Sequence, residues 1–306
     1  MVGARVLRLA MVAAGTVGGV SGAAYGLLNG QSWYARRAIG EPVGVPFRSD
    51  GVHLPDGTGP VASPPEGDAP LRLAVLGDSS AAGLGVEAPD ELPGVRIARG
   101  LAAELERPVD LTTYAIVGST SRDLAAQVDA ALVAPPQLVL VIIGANDVTA
   151  RLSVAECAAL LGAAVARLRE AGVGVVAGTC PDLGAIRPIP QPLRSVASSW
   201  SLALGRAQRH AVEAAGGGAV PLADLLSPEF LTRPQELFSP DRFHPSAAGY
   251  EAAAGLLLPA LCSAIGEWQG PPVPQPPVRS SAAEARRPTS RVVARLNRRF
   301  GRRQAT

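Results

Sequence analysis

Short strand-like apolar runs alternate with longer amphipathic stretches through the middle of the chain. Four of the runs predict buried strands and cover residues 71–76, 109–115, 138–143 and 173–178. The stretches that follow them repeat apolar residues at helical spacing and cover residues 92–106, 121–132, 153–171 and 195–215. A fifth short strand is predicted near residues 219–222. Alternation of this kind predicts an α/β fold with a parallel sheet, right-handed crossovers and helices on both faces.

The alternation is confined to residues 70–268 of the 306-residue chain, which we predict to form one domain. Residues 38–69 are rich in Pro and Gly and are predicted to be a linker that packs partly on that domain. Residues 1–37 contain an uncharged run from Leu9 to about Gln31 and are predicted to be a signal peptide or a membrane anchor. We therefore expect an exported protein that is either secreted or held at the cell envelope.

The last segment, residues 269–306, is Pro-rich at first and then basic, with nine arginines between Arg279 and Arg303 against the single acid Glu284. Its composition predicts a disordered tail. An alternative is that residues 291–303 form a short basic amphipathic helix that contacts anionic lipid or envelope polymer. Nucleic acid is not expected as a partner, because the net charge is only +2 and aromatic residues make up 4% of the chain.

Three cysteines, Cys157, Cys180 and Cys262, lie in apolar surroundings within the predicted domain. The sequence leaves two arrangements open, namely three buried thiols or one disulfide with one remaining thiol. No cluster of Cys, His and carboxylate residues has the spacing of metal ligands, so we predict neither a metal site nor a cofactor.

A candidate nucleophile follows the first predicted strand, which ends at Gly77 and is followed two residues later by Ser79. Loops at the carboxyl ends of the strands in open α/β sheets form ligand sites. A serine hydroxyl is a weak nucleophile at neutral pH and needs a base that is itself oriented by a third group. Asp241 and His244 fit these two roles, since they lie three residues apart directly before an Ala-rich helical pattern.

Two other predicted strand ends carry groups that donate hydrogen bonds. Asn146 follows the third strand and offers a side-chain N–H, while Gly118 follows the second strand and lacks a side chain that would block its backbone N–H. With the backbone N–H of Ser79, three donors are predicted to converge on a developing oxyanion. Each motif alone is more typical of a plain turn or a capped helix start than of an active site. Their combination favours an active site.

These separated motifs resemble the four blocks of the SGNH/GDSL hydrolase superfamily, which are named for Ser, Gly, Asn and His. The corresponding residues here, in the family's order, are Ser79, Gly118, Asn146 and His244. The chain is most similar to exported GDSL-like esterases of high-GC actinobacteria, since it contains no lysine and is rich in Ala, Gly, Arg and Pro. The resemblance implies a flavodoxin-like three-layer α/β/α sandwich around a parallel five-stranded sheet, and a Ser-His-Asp triad completed by Asp241.

Two positions depart from the superfamily's pattern. Ser80 stands where the family name expects Leu, and Thr113 stands where many members carry Asn. The second departure is expected to remove a hydrogen bond that braces the glycine loop, which would make the Gly118 donor less rigid without removing it.

The implied activity is hydrolysis of a small-molecule or lipidic ester of short to medium acyl length through an acyl-enzyme. The Pro-rich residues 181–192 are predicted to overhang the site, either as a plain connector or with Ile186 and Ile189 lining an acyl pocket. An envelope O-acyltransferase and a carbohydrate deacetylase are alternatives that would use the same residues. A non-catalytic envelope-binding module is an alternative from a different functional class.

Overall fold

The computed structural model of the chain describes residues 26–35, 37, 45–64, 69–267, 288, 289, 291 and 293. Its centre is one sheet of six strands, in the spatial order β1-β3-β2-β4-β5-β6. The strands are β1 (Gly51–His53), β2 (Leu71–Gly77), β3 (Val109–Thr113), β4 (Leu138–Ile142), β5 (Gly174–Gly178) and β6 (Gly218–Val220). Strands β2 to β6 pair in parallel, and β1 pairs antiparallel with β3.

The five parallel strands have the flavodoxin-like order that the family resemblance implied. All five predicted parallel strands are present, and the segment predicted as a linker adds the antiparallel strand β1 at the sheet edge. Gly51, Val52 and His53 pair with Leu111, Asp110 and Val109, respectively. Three residues are too few to produce a periodic pattern, so this strand is stabilised by the free edge of β3 rather than by its own sequence.

Eight α-helices of four residues or more lie between β2 and the end of the domain. They are α1 (Pro93–Leu105), α2 (Leu124–Leu132), α3 (Ala145–Thr149), α4 (Val154–Glu170), α5 (Leu193–Ala214), α6 (Leu222–Thr232), α7 (Pro234–Leu237) and α8 (Ala247–Ala264). Four of the predicted helices correspond to α1, α2, α4 and α5, with ends shifted by at most a few residues. Sequence reasoning missed α3, α6 and α7.

Successive residues of β2 face opposite sides of the sheet and belong to separate cores. Leu73 and Val75 pack in a cluster with residues of α1 and α8, while Ala74 and Leu76 pack in a second cluster with residues of α2 and α4. The sheet is therefore covered by helices on both faces, which explains why its central strands β4 and β5 are apolar along their whole length.

Among the described residues, α8 is the one helix whose length and composition would allow it to cross a membrane. Core helices of globular domains meet the same criterion. Leu257 and Leu261 of α8 are buried in the cluster that covers one face of the sheet, so the helix packs as part of the domain core. Most of the predicted signal peptide or anchor lies outside the described residues.

Parts of both terminal segments are ordered against the domain. Residues 26–35 are helical. Pro288, Thr289, Arg291 and Val293 are also helical, and the hydroxyl of Thr289 lies 2.6 Å from that of Ser199. Val293 is buried in the domain. These four residues correct the prediction of a disordered tail at this point, because an apolar side chain there is buried, and the rest of that segment lies outside the described residues.

All three cysteines are buried and free. Of the two arrangements that the sequence left open, the structure has three buried thiols. Burial raises the pKa of the Cys262 thiol to about 11, which keeps it protonated at neutral pH.

Candidate active site

The turn after β2 is possible only because residue 77 is glycine. Gly77 has a φ of 136°, and a Cβ atom there would lie 1.9 Å from the backbone oxygen of Ile142 on the neighbouring strand. The chain then makes a tight turn in which the N–H of Leu84 donates to the carbonyl of Ser79 at 2.9 Å. This turn presents the Ser79 hydroxyl at the carboxyl edge of the sheet, between β3 and β4.

Asp241 and His244 lie in a turn between α7 and α8. One oxygen of the Asp241 carboxylate, Oδ1, accepts the backbone N–H groups of Phe243 at 2.7 Å and His244 at 2.9 Å, and the Ser239 hydroxyl at 2.7 Å. Arg242 between them has a φ of 58°, a left-handed conformation that closes the turn. The carboxylate therefore stabilises the turn that positions the imidazole.

The structure brings Ser79, His244 and Asp241 into one hydrogen-bonded chain. Nε2 of His244 lies 3.0 Å from the Ser79 hydroxyl oxygen, and Nδ1 lies 2.6 Å from Oδ2 of Asp241. An ionised carboxylate only accepts hydrogen bonds, so Nδ1 carries the proton and Nε2 is left to accept from the serine. Partial burial raises the pKa of Asp241, but the hydrogen bonds from His244 and Ser239 and from the turn's backbone lower it further, and the net shift is downward. The carboxylate is consequently ionised at neutral pH.

Gly118 lies on the loop after β3, and Asn146 lies at the start of α3, which contacts that loop beside the three hydrogen-bonded residues. Gly118 occupies a turn in which the N–H of Ser119 donates to the carbonyl of Ile116 at 3.1 Å, and its φ of 86° is one that glycine adopts without strain. The side-chain amide of Asn146, at the start of α3, donates to the carbonyl of Ser119 at 3.0 Å. One Asn146 N–H thus holds the glycine loop, and the amide has a second N–H for another acceptor.

An apolar cleft of about 80 Å³ opens beside His244. Leu183 and Ile186, from the Pro-rich connector after β5, line it together with Phe230 of α6 and Phe243. Ile189, the other residue predicted to line an acyl pocket, is not among the lining residues. It packs instead in a buried cluster with Val196 and Trp200. Ile186 belongs to the same buried cluster, so the two isoleucines differ in that Ile186 also lines the cleft.

Two comparisons of sequence bear on this site. The sequence pattern of the GDSL-like lipase/acylhydrolase family matches residues 75–252, which include Ser79, Asp241 and His244. The GDSL-like esterase Rv1075c of Mycobacterium tuberculosis is 44% identical over 285 residues, which is 90% of this chain and 90% of that protein. The chain belongs to the GDSL-like lipase/acylhydrolase family. It is therefore an ester hydrolase, as the sequence analysis expected.

Solved structures show the same fold at lower identity. LAE5, an α/β hydrolase enzyme from the metagenome of Lake Arreo, is 24% identical with a TM-score of 0.50, covering 66% of this chain and 98% of that chain. A mutant of Axe2, an acetyl-xylooligosaccharide esterase from Geobacillus, is 23% identical with a TM-score of 0.50, covering 68% of this chain and 98% of that chain. At this level of identity the likeness concerns the architecture of the GDSL-like domain.

Gln127 is a residue of this GDSL-like site that sequence reasoning missed. Its side chain is buried in α2, where it accepts the N–H of Gly77 at 2.7 Å and donates to the carbonyl of Gly77 at 2.9 Å. It also donates to the hydroxyl of Ser119 at 3.2 Å. Gln127 thereby joins the serine turn to the glycine loop and supplies the brace that Thr113 does not. The sequence did carry a signal for it. Gln127 lies three residues after Leu124, so it is a polar residue on the buried face of the helix.

Asp78 and Asp147 are two buried carboxyl groups behind the serine turn. Asp78 accepts the backbone N–H of Ser80 at 2.9 Å, and Asp147 accepts the N–H and the hydroxyl of Ser121 at 2.8 Å and 2.5 Å. Burial, with a contribution from the charge of Asp147, raises the pKa of Asp78 to about 6. Asp78, the acidic residue of the GDSL-like motif, therefore braces the serine turn. Its charge changes within the pH range of ordinary assays.

Proposed function

We propose that the chain hydrolyses short to medium acyl esters through an acyl-enzyme formed on Ser79. The observation that supports this most directly is the continuous hydrogen-bonded path from the Ser79 hydroxyl through His244 to Asp241, with distances of 3.0 Å and 2.6 Å. These are the separations at which a nucleophile, its base and the group that orients the base act as a unit.

In the first step the Ser79 oxygen attacks the ester carbonyl, and Nε2 of His244 takes the hydroxyl proton. The proton then passes from Nε2 to the departing alcohol oxygen as the ester C–O bond breaks. In the second step His244 takes a proton from water, whose oxygen attacks the acyl-enzyme, and the proton returns to Ser79. Asp241 keeps Nδ1 as the donor throughout and stabilises the imidazolium that forms in each step.

The oxyanion that develops in both steps needs donors fixed in advance. We assign this role to the backbone N–H groups of Ser79 and Gly118 and to the Asn146 amide. The contact between Asn146 and the Ser119 carbonyl supports the assignment, because it joins the glycine loop to the helix that carries the third donor. Donors held this way need no rearrangement when the charge appears.

The substrate preference follows from the cleft beside His244. Its walls are mostly apolar, with Leu183, Ile186 and Phe230 among them, so they suit an acyl chain better than a sugar. A volume of about 80 Å³ holds a small acyl group. The N-terminal uncharged run supports export to the cell envelope as the location of this activity.

Hydrolysis of p-nitrophenyl esters from acetate to palmitate by the full chain tests the proposal. We expect turnover with a preference for the shorter esters, a burst of p-nitrophenol from acyl-enzyme formation, and loss of at least about a thousandfold in kcat for Ser79→Ala and for His244→Ala. Ser263→Ala and His210→Ala are matched controls, since both residues are exposed and remote from the cleft. Full activity of Ser79→Ala would refute the proposed nucleophile. Turnover only with an added glycerol or sugar hydroxyl would identify an acyltransferase instead.

A further inference from the structure

The helix over residues 26–35 turns its polar side chains toward the domain. Asn29 accepts a hydrogen bond of 2.8 Å from the guanidinium of Arg151, and the Gln31 side-chain oxygen accepts the backbone N–H of Leu193 at 3.0 Å. The small residue Ala35, later on the same face, is 6% exposed. Leu28 is also partly buried against the domain, so polar and apolar contacts together hold this helix in place.

The opposite side of the same helix carries large apolar side chains that face outward. Leu27, Trp33 and Tyr34 are 52%, 64% and 58% exposed. Leu27 and Tyr34 lie seven residues apart, which is two helical turns, and therefore share one side of the helix. The guanidinium of Arg37 lies 5.5 Å from the centre of the Trp33 ring. We call Leu27, Trp33, Tyr34 and Arg37 the outward face.

A surface helix in water buries its apolar stripe and exposes its polar one, whereas this helix also leaves Leu27 and both of its aromatic side chains exposed. A cluster of exposed large apolar side chains marks a surface that another apolar phase covers. Trp and Tyr beside an arginine are the combination enriched where protein meets the boundary of a bilayer, because rings with a polar edge suit that region and the cation pairs with lipid phosphate.

The sequence just before the helix indicates what covers the outward face. No charged residue occurs from Leu9 to Ala35, and residues 9–25, before the helix, have about the minimum length that spans a bilayer core. The helix is the last part of that run and is followed directly by the basic pair Arg36 and Arg37. We propose that the outward face contacts the surface of a lipid bilayer at its boundary with water.

The same helix lies against the elements that form the active site. Gln31 binds the backbone of Gln191 and Leu193, at the end of the connector whose Ile186 lines the cleft. Asn29 binds Arg151, which lies two residues after the end of α3, the helix that carries Asn146. Bilayer contact therefore occurs on the edge of the domain that carries the cleft. It selects esters whose apolar remainder stays in the membrane, a conclusion about substrate that rests on the proposed function.

Fluorescence quenching tests the contact independently of activity. The full chain is reconstituted into vesicles of equimolar phosphatidylcholine and phosphatidylglycerol, with and without bromine on the acyl chains near the headgroup. The difference in emission between the wild-type chain and Trp33→Phe isolates Trp33 from the other tryptophans. We expect brominated lipid to remove most of this difference emission. Unchanged difference emission would overturn the proposal.

A pair of substrates with the same acyl group tests the consequence for catalysis. The double variant Trp33→Ser/Tyr34→Ser is expected to lose about tenfold in rate on hexadecyl butyrate held in the same vesicles, from the apolar contact that two aromatic rings provide. Its rate on dissolved p-nitrophenyl butyrate should stay unchanged. Val133→Ser is the matched control, since Val133 is an exposed apolar residue at the end of α2.

The outcomes separate this inference from the function on which it rests. Equal rates of the double variant and the wild-type chain on the vesicle substrate would contradict a role of the outward face in substrate access. If the wild-type chain hydrolyses neither butyrate, the proposed function fails, and the quenching result alone then decides whether the outward face meets the bilayer.

Discussion

The Asp241 carboxylate contacts His244 twice, once at the imidazole and once at the backbone. Oδ2 lies 2.6 Å from Nδ1 of the ring, and Oδ1 accepts the backbone N–H of the same residue at 2.9 Å. One side chain thus fixes the turn, the ring orientation and the tautomer together. A spacing of three residues makes this double contact possible, because a single turn brings the carboxylate back over the residue that it orients.

Asp241→Asn tests the charge of this contact while keeping its shape. An amide oxygen still accepts the backbone N–H groups, but the neutral side chain no longer stabilises an imidazolium. We expect kcat on p-nitrophenyl butyrate to fall by at least about a thousandfold with the fold retained. Asp90→Asn, at an exposed position, is the matched control. Near-complete activity of Asp241→Asn would show that another group orients the histidine.

Gln127→Leu tests the brace between the serine turn and the glycine loop. Leucine fills similar space but leaves the N–H of Gly77 without its buried partner and removes one of the two donors to the Gly77 carbonyl, so we expect a loss of about 2 kcal/mol in unfolding free energy. Because the turn also carries Ser79, kcat should fall about tenfold while KM changes little. Steady-state kinetics and thermal unfolding measure the two effects.

Gln208→Leu is the control for that variant. Gln208 is also buried and also bridges backbone groups, accepting the N–H of Cys180 at 2.7 Å and donating to the carbonyl of Ile143 at 3.0 Å. It should lose comparable stability and a smaller share of kcat, since it does not hold the serine turn. Equal loss of kcat in the two variants would mean that Gln127 acts through stability alone.

Ile186→Ala and Ile189→Ala form a matched pair across the boundary of the cleft. Ile186 lines the cleft, so its truncation enlarges the pocket and should shift the best p-nitrophenyl ester toward longer chains. Ile189 packs in the core, so its truncation should lower stability by about 2 kcal/mol or more without a change in chain-length preference. The same shift in both variants, or in neither, would contradict the separation seen in the structure.

Asp78→Asn should change how stability depends on pH. The pKa of Asp78 is raised from 3.8 to about 6 by burial, so between these pH values the folded chain binds more protons than the unfolded chain. The free energy of unfolding therefore falls by at most about 3 kcal/mol as the pH rises through this range. Above the pKa of the folded state it falls no further on account of Asp78. The Tm advantage of Asp78→Asn over the wild-type chain should be larger at pH 8 than at pH 4. A constant difference would contradict a raised pKa.

The sheet and the separated motifs were accessible to sequence reasoning because each is a local pattern. The apolar run before Gly77 predicts a strand from its own residues. The spacing of Asp241 and His244 can be recognised in the sequence before the fold is known. Strand β1 and helix α3 were missed because three and five residues carry too little periodicity, and both are stabilised by neighbours distant in sequence. Gln127 was missed because a glutamine in a helix has functional meaning only when its partners are known.

The sequence by itself determined the α/β class, the family and the identity of the residues around the candidate nucleophile, since local periodicity and motif order encode all three. Only the tertiary structure decided which groups meet. Ser79 and His244 are 165 positions apart, and their 3.0 Å contact exists because the turn after β2 and the turn before α8 pack at one edge of the sheet. The same packing placed Ile186 but not Ile189 at the cleft and turned Trp33 and Tyr34 outward, because the contacts of a residue depend on its three-dimensional surroundings.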